Sequence, residues 1–249
     1  MPQRLLRTLL PLLLAAPALA WAAPPAAAPA AAASANGAEA VPADAPRVLV
    51  KTSMGSFVIA LYPDKAPKTV ANFLDYVHSG FYDGTVFQRV IKGFLVQGGL
   101  FNRQLQPKPT RPPIAIEANN GLSNLRGTVA AARAADPNSE TSQFFINLVD
   151  NPRLNFISDQ SGATWGYTVF GKIVQGMNVV DAIGNLPTGP QGPFTADVPH
   201  PLPVIESMTE LSNGKALPAA AASVAPAPPA KVRTNAVHAI PAGKAGGHT

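Results

Sequence analysis

Between Phe87 and Gly99 the chain carries two short apolar segments, Phe87-Gln88-Arg89-Val90-Ile91 and Gly93-Phe94-Leu95-Val96-Gln97-Gly98-Gly99, joined at Lys92-Gly93. Runs this short, bounded by glycine, fit strands of a sheet rather than helices. The first holds Arg89 and the second Gln97. A cation among Phe87, Ile91 and Phe94 is expensive if buried without partners. Arg89 therefore either points at water or stands ready for a ligand. Taken alone, the stretch is better explained by a solvated arginine on a sheet face.

The same pattern of short strands continues on both sides. Arg47–Lys51, a turn over Thr52–Gly55 and Ser56–Tyr62 read as strand, turn, strand, with Phe57, Ile59 and Leu61 alternating against Val58, Ala60 and Tyr62. After Pro63, a helix is predicted from Ala66-Pro67-Lys68-Thr69, with Val70, Phe73, Leu74 and Val77 along one stripe. Gly80 stands at its expected stop, and His78 in the last turn complements the helix dipole. Further strands are predicted at Thr85–Ile91, Thr128–Ala132, Gln143–Val149, Tyr167–Val174 and Val204–Leu211, and a second helix at Gly176–Ile183. Leu100–Leu125 is rich in proline and asparagine and reads as a long loop, of the kind that usually has a function. Without βαβα alternation the pattern points to an antiparallel barrel or sandwich closed by helices.

The two ends differ from this middle. Residues 1–22 have the layout of a secretory signal peptide: Arg4 and Arg7, an apolar run from Leu9, then small-residue sites at Ala18-Leu19-Ala20 and Ala20-Trp21-Ala22. The run is short against the roughly 20 residues a membrane span requires, and it contains Pro11 and Pro17. Residues 23–46 and 213–249, dominated by alanine and proline, are expected to be a linker and a disordered tail around a domain at 47–212.

Several chemistries are disfavoured. With no cysteine there is no disulfide, thiolate site or cysteine nucleophile. A net charge of +5 is scattered rather than clustered, which argues against nucleic acid as a partner. No Gly-x-Ser-x-Gly, His-Glu-x-x-His or glycine-rich phosphate loop occurs, and the domain's histidines are only His78 and His200. Neither a metal nor a cofactor is expected.

Phe87–Ile91, Phe94-Leu95-Val96-Gln97-Gly98-Gly99, Ser142-Gln143-Phe144-Phe145-Ile146 and Val169-Phe170-Gly171-Lys172, in this order, resemble the cyclophilin-type peptidyl-prolyl cis-trans isomerases, particularly their bacterial secreted branch. The resemblance spans roughly Arg47–Leu211. It implies a closed eight-stranded antiparallel β-barrel with a helix capping each end. It also implies that Arg89 is the catalytic group and that Phe94, Leu95 and Phe145 form the proline pocket, with the family usually having methionine at position 95. Gln97 would orient the arginine and contact substrate backbone, and Ala132, Arg133, Gln143 and Leu154 would form the peptide-binding rim. Without the resemblance, Phe145 and Leu154 read equally well as core.

Three positions depart from the better-known eukaryotic pattern: Gln88 replaces histidine, Arg153 tryptophan and Tyr167 histidine. Arg153 and Tyr167 lie on the rim, so peptide and inhibitor contacts there should differ while the catalytic group is retained. The implied activity is rotation of Xaa-Pro bonds in proline-containing polypeptides, assisting the folding of exported proteins. The protein is expected to act as a periplasmic or secreted monomer with no membrane span after signal cleavage. The alternative is a non-catalytic proline-peptide-binding chaperone or adaptor of the cell envelope.

Overall fold

Strands β1 (Arg47–Thr52) and β2 (Gly55–Leu61) pair antiparallel across a tight turn in which Gly55 takes φ 123°. This is the hairpin that the alternation of Phe57, Ile59 and Leu61 predicts. A computed structural model describes residues 40–211 of the chain. The expected signal peptide, residues 23–39 of the expected linker and the expected tail lie outside the described residues. Residues 40–46 do not behave as a free linker: Ala45 is buried, and Val41 packs against a cluster containing Tyr62 and Phe145.

Helix α1 (Pro67–His78) begins with proline at its first position, and Gly80, just past its end, takes φ 65°. Its start has no side-chain cap of its own. The carboxylate of Glu117, from the long loop, accepts the Lys68 and Thr69 N–H groups at 3.1 and 2.9 Å. A negative charge is thus placed on the unpaired donors at the positive end of the helix dipole. His78 Nε2 lies 2.7 Å from Glu210 Oε2 on the last strand, so its partner is a carboxylate as well as the helix terminus.

The remaining main strands are β3 (Arg89–Ile91), β4 (Leu95–Gly98), β5 (Thr128–Ala131), β6 (Phe144–Asn147), β7 (Val169–Gln175) and β10 (Ile205–Leu211). With β1 and β2 they form one antiparallel sheet in the order β10-β1-β2-β7-β5-β6-β4-β3. The expected closed barrel is therefore corrected to a curled half-barrel of eight strands, because the edge strands β10 and β3 do not pair with each other. The predicted Thr85–Ile91 strand is regular only over its last three residues. Its earlier part and Gly84 before it reach the start of β10 and the loop preceding it, through Gly84 N to Ile205 O (2.8 Å), Ile205 N to Thr85 O (2.7 Å) and Phe87 N to Pro203 O (3.0 Å). Pro201 and Pro203 have no N–H to donate, so a ladder cannot continue through this loop.

The mainly β architecture carries two helices, α1 and α2 (Met177–Gly184), whose apolar faces enter one core. Phe73 of α1 packs its ring 5.1 Å from Phe170 and 5.8 Å from Phe144, the latter edge-on. A separate hairpin, β8 (Thr188–Gln191) with β9 (Phe194–Pro199), was not predicted. Its Thr-Gly-Pro-Gln strand lacks the apolar alternation by which a strand is recognised.

Candidate active site

Directly opposed residues of an antiparallel ladder project to the same face. Arg89 opposes Gln97, Gln97 opposes Phe145, and Phe145 opposes Ala130. One row across β3, β4, β6 and β5 thus presents a cation, an amide, a benzene ring and a methyl group. The intervening residues Val90, Val96, Phe144 and Ile146 enter the core on the other face. At the ~4.8 Å strand spacing, Arg89 and Phe145 are separated by two strand steps, within reach of an arginine side chain.

Around Phe145 gathers a second apolar cluster. It includes Leu95, Ala132 and, partly exposed, Phe94, Leu154 and Tyr167. The Tyr167 ring stands edge-on to Phe145 at 5.4 Å. Leu95 and Phe145 are buried and form its floor. Phe94, at the turn before β4, accepts Leu148 N–H and Asn151 Nδ2 at its carbonyl, which fixes the loop that carries Leu154.

The polar side of the row is a chain of hydrogen bonds. Arg89 Nη1 donates to Gln97 Oε1 at 3.4 Å, Gln97 Nε2 to Gln143 Oε1 at 3.2 Å, and Gln88 Nε2 to the same oxygen at 2.9 Å. Gln143 Oε1 is therefore doubly occupied, and its amide nitrogen finds no acceptor among the described residues. The Arg89 side chain is 45% exposed, with Nε 3.6 Å from Asp197 Oδ2. Its Nη2 makes no hydrogen bond among the described residues.

Arg133, expected at the peptide-binding rim, commits its donors to backbone carbonyls. Its Nε donates to Gly166 O (2.8 Å), Nη2 to Gly162 O (2.7 Å) and Nη1 to Ala134 O (3.0 Å), while its guanidinium lies 4.9 Å from the Tyr167 ring centre. It organises the 155–166 loop and fixes Tyr167. Arg153, on the 3-10 turn Pro152–Leu154, is exposed.

Three contributors escaped the sequence reading. Gln88, in sequence only a replacement for histidine, is 2% exposed and anchors the amide chain. Asp197 lies on the unrecognised hairpin and left no signal. Glu140, three residues before Gln143, is fully buried, with Oε1 accepting from Thr168 Oγ1 at 2.7 Å and Oε2 without a hydrogen-bond partner. Burial, reinforced by the Glu117 charge and opposed by the Thr168 bond and Arg133, raises its pKa to about 8.

The arrangement can grip an apolar ring beside an always-charged donor, and among the described residues no cluster of three metal-ligating side chains forms. The family described as "Cyclophilin type peptidyl-prolyl cis-trans isomerase/CLD" matches residues 47–210. The chain is 52% identical to peptidyl-prolyl cis-trans isomerase B of Escherichia coli K12 over 162 residues, 65% of this chain and 98% of that protein. It is 51% identical to peptidyl-prolyl cis-trans isomerase A of Dickeya dadantii over 160 residues, 64% of this chain and 82% of that one. A crystal structure of a Cryptosporidium parvum cyclophilin-type isomerase with the dipeptide Ala-Pro superposes with a TM-score of 0.56 at 28% identity, covering 67% of this chain and 99% of that one. On the matched span, the motifs and the fold, the chain belongs to the cyclophilin-type peptidyl-prolyl cis-trans isomerase family.

Proposed function

We propose that this enzyme rotates Xaa-Pro bonds in exported polypeptides, with Arg89 as the group that stabilises the twisted amide. The barrier, roughly 20 kcal/mol, is the loss of amide resonance. Twisting leaves a lone pair on the prolyl nitrogen. A donor placed there binds the twisted state more strongly than the planar one, the condition for catalysis. Arginine suits this task because it stays charged and its planar fork is preorganised. The apolar surface of Phe94, Phe145, Leu154 and Tyr167 would hold the pyrrolidine ring. Gln143, its oxygen already occupied, would donate from its amide to the peptide backbone. A rate gain of 10⁴ to 10⁵ needs about 5–7 kcal/mol. One or two charge-assisted hydrogen bonds at roughly 1.5–3 kcal/mol each, with positioning, can supply this.

The observation that carries the reading is the single row Arg89–Gln97–Phe145, which sets the guanidinium beside the pocket. The test is turnover on short proline peptides by the full chain and by Arg89→Ala and Arg89→Lys. Both variants should fold and lose most activity, lysine because a point charge lacks the fork. Near wild-type turnover in folded Arg89→Ala would remove Arg89 from the mechanism, and no turnover by the wild-type chain would favour the non-catalytic binder instead. Action on exported proteins rests on the leader-like residues 1–22, and fractionation of cells expressing the chain with and without them tests it.

A further inference from the structure

Beyond the row of site residues, the loop between Leu154 and Tyr167 builds a second concavity. Its carbonyls at Gly162 and Gly166 converge on Arg133, and a pocket of about 540 Å³ opens between Arg133, Arg153, Leu154, Gly162 and Tyr167. Leu154 and Tyr167 also belong to the apolar cluster around Phe145, so the pocket adjoins the proposed proline slot.

The charge of this pocket is one-sided. Two guanidinium groups line it and no carboxylate does. Among the described residues neither arginine forms an ion pair. The carboxyl that Arg133 feels, that of Glu140, is buried and holds its proton up to about pH 8. The two arginines divide the work: Arg133 commits its donors to backbone carbonyls and contributes only fixed positive charge. Arg153, exposed on its 3-10 turn, makes no hydrogen bond among the described residues, and its whole donor fork is free for a carboxylate.

We propose that this pocket is a specificity subsite for an acidic side chain of the substrate peptide, with Arg153 as the residue that reads it. The proposal rests on the isomerase reading for where the proline sits. The shared wall of Leu154 and Tyr167 puts the acid close in sequence to that proline, before or after it. An ion pair at an exposed rim is modest in strength, so a bias of about two- to fivefold is expected rather than an absolute requirement.

The experiment uses the full chain and a set of peptides with Glu, Gln or Lys at each of the three positions before and after one proline. Both kcat/KM and Kd are measured. At one of these positions Glu should exceed Gln by about two- to fivefold and Lys should fall below it, and the bias should shrink as salt is raised to about 0.5 M. Arg153→Gln should bring the Glu-to-Gln ratio to about one, and Arg153→Glu should invert it. Using the ratio within each variant separates charge reading from any general loss of activity. Equal Glu and Gln values at all six positions, or a bias that survives in Arg153→Gln, would overturn the subsite. Absence of turnover with every peptide would instead sink the isomerase reading, and the subsite would still be decided by the Kd ratios.

Discussion

Asp197 holds its carboxylate oxygen Oδ2 3.6 Å from Nε of Arg89, across the junction between the two-stranded hairpin and the eight-stranded sheet. It does so from a left-handed backbone conformation, φ 66°, which most residues avoid and Asp or Asn tolerate best. With Gln97 on Nη1, the guanidinium plane is held at two of its nitrogens. Asp197 therefore acts as a positioning residue for Arg89. Asp197→Gly accepts the same φ and removes the carboxylate. It should leave the melting temperature nearly unchanged and lower kcat by roughly fivefold, the equivalent of about 1 kcal/mol. Asp197→Asn, which keeps an acceptor, should fall between. An unchanged kcat in the glycine variant would remove Asp197 from the mechanism.

The amide chain gives a second expectation. Gln88 lies under Gln143, and its own Oε1 is buried without a partner. Gln88→Leu loses one hydrogen bond but also removes that unsatisfied acceptor, so stability should change by no more than about 1 kcal/mol. Turnover should drop severalfold, because Gln143 loses one of the two bonds that fix its amide. Gln88→His can still donate to Gln143 and should restore most of the rate. Identical kcat in all three proteins would show that Gln143 needs no second anchor.

Part of the candidate site is legible in local signals, and the rest in the order of four motifs that resemble the family. Arg89 and Gln97 stand out as polar residues in apolar strands, whereas Phe145 is singled out only by the family resemblance, and its place in their row depends on the register of β3, β4 and β6. Helix α1 was legible locally too, as its stripe and its flanking Pro67 and Gly80 are adjacent in sequence. The missed features depend on long-range geometry. β8 and β9 pair through Gly- and Pro-containing segments with no periodicity, so Asp197 could not be placed. Whether β10 meets β3 depends on how prolines 201 and 203 break the ladder. That Arg133 donates to the carbonyls of Gly162 and Gly166 depends on the fold of the 155–166 loop, which no local pattern announces.

Gly98 tests how tightly the site strand is seated. A Cβ there would lie 2.7 Å from Phe87 Cδ1 and 2.8 Å from the Val86 carbonyl oxygen, and the latter is backbone that cannot yield cheaply. Gly98→Ala should destabilise by about 2–3 kcal/mol and displace the segment carrying Arg89. Denaturant unfolding checks this, and a loss below about 0.5 kcal/mol would mean that β4 has slack.

Glu140 gives the protein a dependence on pH. Its carboxyl titrates at about 8 in the folded chain, against an ordinary value of 4.5, chiefly because it is desolvated. Between those two values the unfolded chain has released the proton and the folded chain still holds it. Raising pH therefore favours unfolding, and this group's contribution to stability falls steadily across about pH 4.5–8 and levels off outside that window. Each pH unit inside it corresponds to roughly 1.4 kcal/mol at most. Glu140→Gln keeps an oxygen for Thr168 Oγ1 and never ionises. The variant should lose this slope, so that its stability relative to wild type improves steadily from pH 5 to pH 8. Parallel denaturant curves at several pH values measure the difference. The same pH slope in both proteins would show that the carboxyl of Glu140 is not held protonated by its burial.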